Sequence, residues 1–208
     1  MLKPIAYVST DIQFTRLNEI DHKRGLVSLN LYDLPYADLS VYAGIIITNF
    51  IEEAYLLEHK KHLEQYLQGG GVVFSLAEIF LPWLPGCGNW KRSPIPLKDR
   101  EIRLREPVHS MFAGIDPYDL NYRKGVRGFF SRGYFDAIPK HAEVLVEDQE
   151  EKPIIYVDRH TTNGTIFAGA GTDLYRFGME ESSASVLGGQ MLDAIQGEYD
   201  ALKAGNQK

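Results

Sequence analysis

Ser75, Glu78, His109 and Asp173 are the side chains whose types and places in the sequence could serve acid–base or nucleophilic chemistry. Two carboxylates and a histidine gathered around one pocket would supply acid and base roles for hydrolysis or isomerisation of a small sugar-like metabolite. Ser75 would serve as a nucleophile only with a base in reach, and His109 or, more loosely, His141 and His160 are the candidates. Against this stand blander roles: a strand-end serine bonded to backbone, and a histidine that caps a helix or fills the core.

A second set of residues is suited to binding. The stretch Arg123 to Tyr134, RKGVRGFFSRGY, interleaves basic and aromatic residues with glycines, so Arg127 and Arg132 are candidates to grip a phosphate or carboxylate with guanidinium forks. His59 and His62 are spaced i, i+3 within EHKKH, whereas a zinc pair more readily uses i, i+4 with an acidic third ligand, so no metal site is predicted. Cys87 lies in LPGCGNW, where Lys91 and Arg92 offer the one argument for a depressed, reactive thiol. GAGTD, from Gly169 to Asp173, is a lone Gly-x-Gly and too little to define a phosphate loop, and no cofactor is expected.

Charge narrows the partners. The chain has 208 residues and a net charge of -6, yet residues 91–132 hold ten Lys or Arg against five acids. Such a field attracts an anionic metabolite or an acidic protein face, while a nucleic-acid binder would more usually be basic over the whole domain. Nucleic acid is therefore disfavoured. The apolar runs fall short of the roughly 20 residues a membrane helix needs, and no leader or anchor is read in the first residues. A single cysteine excludes an internal disulfide and is compatible with the cytoplasm.

These residues must be positioned by an α/β framework, and residues 1–208 read as one domain. Strands are expected at Lys3–Ser9, Leu26–Tyr32, Ala43–Thr48 and Val72–Leu76, the third continuously apolar as in a parallel sheet buried on both faces. Phe14, Leu17 and Ile20 suggest a short helix capped by Thr10 or Asp11, and Glu52–Gln68 a clearer one ending at Gly69-Gly70-Gly71. Pro82 to Pro107 reads as a long excursion with at most one edge strand. Beyond it come strands at Glu143–Glu147, Pro153–Asp158 and Thr165–Gly169. Thr162-Asn163-Gly164 is expected to turn with positive φ. A terminal helix from about Glu181 to Lys203 presents Val186, Leu187, Met191, Leu192 and Ile195 as its apolar stripe.

The strand AGIIITN, the helix end LEQYLQGGG, the strand VVFSL, the phrase HSMFAGI and the segment GTIFAGAGTDLY together resemble the class I glutamine amidotransferase-like superfamily, nearest its ThuA-like and other non-glutaminase branches. The likeness runs from about Lys3 to Gly197 in order and pattern. It implies a flavodoxin-like three-layer sandwich with a mainly parallel central sheet and an antiparallel hairpin extension in the C-terminal half. It also implies a nucleophile elbow after Val72–Leu76, but Gly69 to Phe80 contains no cysteine, and the late turn Gly169 to Asp173 offers no histidine. Without a thiolate and its base there is nothing to form a thioester, so glutamine hydrolysis is not expected.

In open α/β sheets ligands sit beyond the carboxyl ends of the strands. The rim so defined comprises Ser9, Thr10 and Asp11, then Thr48, Asn49 and Phe50, Ser75 and Glu78, and finally Gly171, Thr172 and Asp173. In glutaminases the backbone after the third strand helps form an oxyanion hole, which makes Asn49 and Phe50 candidates for anion contact, although Thr10, Asp11 and Asn49 could equally be helix caps. The leading expectation is a small anionic metabolite or a protein partner at this rim. The alternatives are the acid–base enzyme above and a homo-oligomer joined through an exposed aromatic loop, Trp83 to Trp90.

Overall fold

The computed structural model describes residues 3–10, 17, 19–123, 126–128, 130–169, 171–177 and 181–205. Asp11, Phe14 and Lys124 lie outside them.

Short runs of β-branched and aromatic residues form the central sheet. β1 (Ile5–Ser9), β2 (Leu26–Asn30), β3 (Gly44–Ile47) and β4 (Val72–Ser75) pair in parallel, and β12 (Thr165–Gly169) joins β4 in the same sense. Every residue of β1, β3, β4 and β12 is buried, as the unbroken apolar runs require of strands covered on both faces. The sheet order is β2-β1-β3-β4-β12-β11-β10-β6, where β11 is Pro153–Asp158, β10 is Glu143–Asp148 and β6 is Ile102–Leu104. The last three join antiparallel, so a doubly wound parallel half continues into an antiparallel extension. This is the flavodoxin-like sandwich with helices flanking a mainly parallel sheet.

Stacking across neighbouring strands strengthens the parallel half. Phe74 of β4 and Phe167 of β12 are register partners whose rings lie 4.9 Å apart and nearly parallel. The helix closing the chain, α5 (Leu187–Gly205), buries Leu187, Met191, Leu192 and Ile195. Val186, expected on that stripe, belongs to a preceding 3-10 turn and is 46% exposed, because the chain has not yet taken up α-helical phase there. Arg159 at the end of β11 clamps α5 by a bidentate pair to Glu198 (2.6–3.1 Å) and also reaches Glu143 at 2.9 Å.

Several expectations are corrected in detail. The helix over Glu52–Gln68 is interrupted: α2 (Glu53–Glu58) and α3 (Lys60–Gln68) meet at His59, whose ring lies against Tyr55. The short helix expected at Phe14, Leu17 and Ile20 falls mostly outside the described residues; between β1 and β2 these include α1 (Glu19–Lys23). Strand β2 stops before Tyr32 because the Asn30 side chain accepts the Tyr32 N–H at 3.0 Å and starts a 3-10 helix. The excursion after β4 holds two short strands rather than one: β6, and β5 (Trp90–Arg92), which pairs with β9 (Gly133–Phe135). At Thr162 to Gly164 the positive φ is not used. There the Thr162 hydroxyl accepts the Gly164 N–H, Asn163 donates to the Gln68 carbonyl, and a Cβ on Gly164 would fall 2.1 Å from the Gly71 carbonyl oxygen. Close backbone approach, not turn geometry, calls for glycine here.

The outer edge of the sheet is protected. Asn121, in α4 (Pro117–Asn121), accepts the Ile102 N–H at 2.8 Å and donates to the Ile102 carbonyl at 3.0 Å, which imitates a further strand.

Candidate functional site

The carboxyl ends of β3, β4 and β12 open into a cleft of about 1340 Å³. Asn49 follows β3, Glu78 follows β4, and Gly171, Thr172 and Asp173 follow β12. The opposite wall comes from the basic excursion. It includes Trp90 and Arg92 of β5, Lys98, Arg100, Arg132, and the hairpin β7 (Tyr122–Arg123) with β8 (Val126–Arg127). Arg176 completes the lining. The basic segment thus folds over the strand-end rim.

The loop carrying Glu78 is fixed from below. Glu53, on the first turn of α2, uses Oε2 to accept the N–H groups of Phe80 (2.8 Å) and Leu81 (2.9 Å) and the indole N–H of Trp83 (2.9 Å). An ionised acceptor shared by three donors is a strong local anchor. Trp83 and Trp90 are both buried, so the loop expected to offer an aromatic interface turns its tryptophans inward.

The excursion is stapled by Arg100. Its guanidinium donates to the carbonyls of Ile95 (2.8 Å), Ser131 (3.2 Å) and Ser93 (3.3 Å), joining the β5 and β9 sides of the wall. Burial, then the nearby Arg92 and Arg132, pull Arg100 below the usual arginine range. Arg176 is neutralised inside the protein. It donates to Asp21 at 2.7 Å, while the Tyr175 hydroxyl donates to the same carboxylate at 2.5 Å. Arg127 donates to the Tyr122 hydroxyl and lies over its ring.

Arg92, Lys98 and Arg132 differ from these. None of them forms an ion pair or donates a hydrogen bond to a described residue. Arg132 instead lies 5.3 Å above the ring of Phe50, which is exposed and held at φ 59°, a rare conformation for a non-glycine residue. Glu78 is the acid facing this cluster. Its Oε1 is buried without a partner, and no described donor reaches its carboxylate. Burial raises its pKa, Arg132 and Arg92 lower it, and Glu53 adds to the rise; the net effect is upward. The Trp90 indole N–H and Arg127 Nε, also on lining residues, are likewise buried without a partner.

The sequence candidates therefore divide. Asn49, Glu78, Arg127, Arg132, Thr172 and Asp173 share the cleft, and Phe50 reaches it through Arg132. Thr10 lies outside the lining. Ser75 is fully buried with its hydroxyl accepting the Ala77 N–H at 3.3 Å. His109 caps the 3-10 helix Ser110–Phe112 through Nδ1, packs its ring on Phe167, and lines a separate groove with Gln190 and Glu198. Asp173 caps the next 3-10 helix and accepts from Tyr7 at 3.0 Å. Glu78 and Asp173 thus share a cleft that His109 does not enter. Cys87 is the opposite of an activated thiol, since burial pushes it up to about 12. Among the described residues no cluster of three His, Cys, Asp or Glu side chains could hold a metal ion, and no helix is long and apolar enough to cross a membrane.

Arg92 and Arg100 were not singled out among the sequence candidates. Their place in the wall depends on β5 pairing with β9 across more than forty residues, which local pattern cannot show.

No family model matches this chain, and no curated protein matches it. Solved structures do. A protein from Thermoplasma acidophilum provisionally designated as one of the GMP synthase subunits matches with a TM-score of 0.56 at 10% identity, covering 100% of this chain and 99% of that one. The exo-β-1,4-mannosidase Op5Man5 from Opitutaceae bacterium strain TAV5 matches with a TM-score of 0.48 at 15% identity over 98% of this chain, which spans 36% of the mannosidase. The mmIFT52 N-terminal domain gives a TM-score of 0.45 at 11% identity, covering 92% of this chain and 97% of that domain. The first of these shows a fold shared from end to end.

Proposed function

We propose that this chain is a non-glutaminase member of the class I glutamine amidotransferase-like superfamily whose strand-end cleft binds a small anionic metabolite. The superfamily reading is supported by the end-to-end fold match and by the elbow and late-turn segments at their expected places in the sheet. Ser75, at the end of β4, bonds to backbone and the one thiol is neutral and remote, so thiolate chemistry has no residue to run it.

One observation carries the anion reading: the side chains of Arg92, Lys98 and Arg132 line one cleft and form no ion pair with a described residue, while Arg100, Arg127 and Arg176 are committed to internal acceptors. Like charges gathered in a concave, partly desolvated site repel one another, and an anion relieves that repulsion. The experiment is a thermal-shift screen of phosphosugars, nucleotides, amino acids and dicarboxylates. A ligand at 100 times its dissociation constant adds about 2.7 kcal/mol, or roughly 5 to 10 °C for a chain this long. No shift with any anion would remove the reading.

A further inference from the structure

Glu78 is an odd residue to keep in an anion site. It lines the same cleft as Arg132 and Arg92, whose charges act on it, yet it forms a salt bridge with neither. Glu53, from the neighbouring helix, is the other charge acting on it. With Oε1 sealed off and no protein donor present, its carboxylate lacks what nearly every partly buried carboxylate has. A bare anion placed beside its ionised carboxylate would meet like charge, and a ligand hydrogen turns that repulsion into a bond.

Resting on the anion-binding reading, we propose that the cleft selects oxyanions that bring their own hydroxyl, with Arg92 and Arg132 gripping the charge and Oε2 of Glu78, the oxygen that is not sealed off, accepting the O–H. Hydrogen phosphate, phosphomonoesters carrying a sugar hydroxyl, and hydroxycarboxylates share that chemistry. Sulfate and simple dicarboxylates do not. A site built to accept a substrate O–H rejects analogues lacking it strongly, because its own polar group is then left buried and unpaired.

The test is calorimetric titration at pH 7 of two matched pairs, inorganic phosphate against sulfate and malate against succinate, into wild type and Glu78→Gln. Wild type is expected to prefer the hydroxyl-bearing member of at least one pair by tenfold or more. Glu78→Gln, which can also donate, is expected to bring that ratio within about threefold while melting as a folded protein. Saturable binding with equal affinities within each pair, or a preference that survives Glu78→Gln, would overturn the proposal and leave the anion site standing. Binding of none of the four anions would remove both together.

Discussion

Gly171 and Glu78 occupy each other's space: at φ +84° a Cβ on Gly171 would lie 2.4 Å from Cγ of Glu78 and 2.7 Å from its Oε1. The turn after β12 therefore needs glycine twice over, for its backbone conformation and for the carboxylate that packs on it. Through this contact the end of β12 sets the orientation of a side chain that follows β4.

Gly171→Ala should then cost about 1–3 kcal/mol from the left-handed conformation alone, and must displace Glu78 as well. Chemical denaturation measures the first effect. Loss of discrimination within the two anion pairs measures the second, and a variant with wild-type stability and selectivity would show that the contact is dispensable.

Glu78 should weaken the fold at neutral pH. Its folded pKa is raised by burial, so the stability attached to its neutral form is fully present below the unfolded carboxylate value and is lost as pH rises through the folded one. Glu78→Gln is expected to raise the unfolding midpoint at pH 7 and to give no gain near pH 4. A midpoint lowered at pH 7 would mean that Glu78 has a favourable partner.

Removing Glu53 should loosen the loop that carries Glu78. Glu53→Ala strands three donors, those of Phe80, Leu81 and Trp83. The expected loss is about 3 kcal/mol, with a red shift of Trp83 fluorescence as its indole meets water. An unchanged melting curve would show that water replaces the carboxylate at no cost.

Cys87 should be inert until the protein unfolds. A thiol pushed up to about 12 carries almost no thiolate at pH 8, so alkylation should be far slower than in denaturant. The raised pKa also predicts stability that is intact below the unfolded thiol value of about 8.5 and falls as pH rises toward 12. Cys87→Ala should flatten that fall, and rapid labelling of the native protein would contradict the assignment.

The framework was readable because its signals are local. GIII and VVFS are apolar runs too short for a helix and bounded by Gly, which identifies buried parallel strands, and the strand ends then list the rim by simple counting. The wall of the cleft was not readable. That the Arg123 to Arg132 segment covers the rim depends on Arg100 stapling three carbonyls and on the pairing of Trp90 with Phe135. Likewise, nothing in the composition distinguishes Arg176, paired with Asp21 more than 150 residues away, from Arg132, which forms no ion pair with a described residue. The interruption at His59, where φ is -105° and ψ 15°, falls within a stretch whose periodicity alone favours one helix.

The most direct test is titration of wild type and the double variant Arg92→Ala, Arg132→Ala with phosphate and malate, repeated at low and high salt. Neither arginine forms an ion pair or a side-chain hydrogen bond with a described residue, so the variant should still fold cooperatively. The account predicts saturable one-site binding in wild type that weakens with salt and disappears in the variant. Equal binding by the two proteins, or binding by neither, would contradict it.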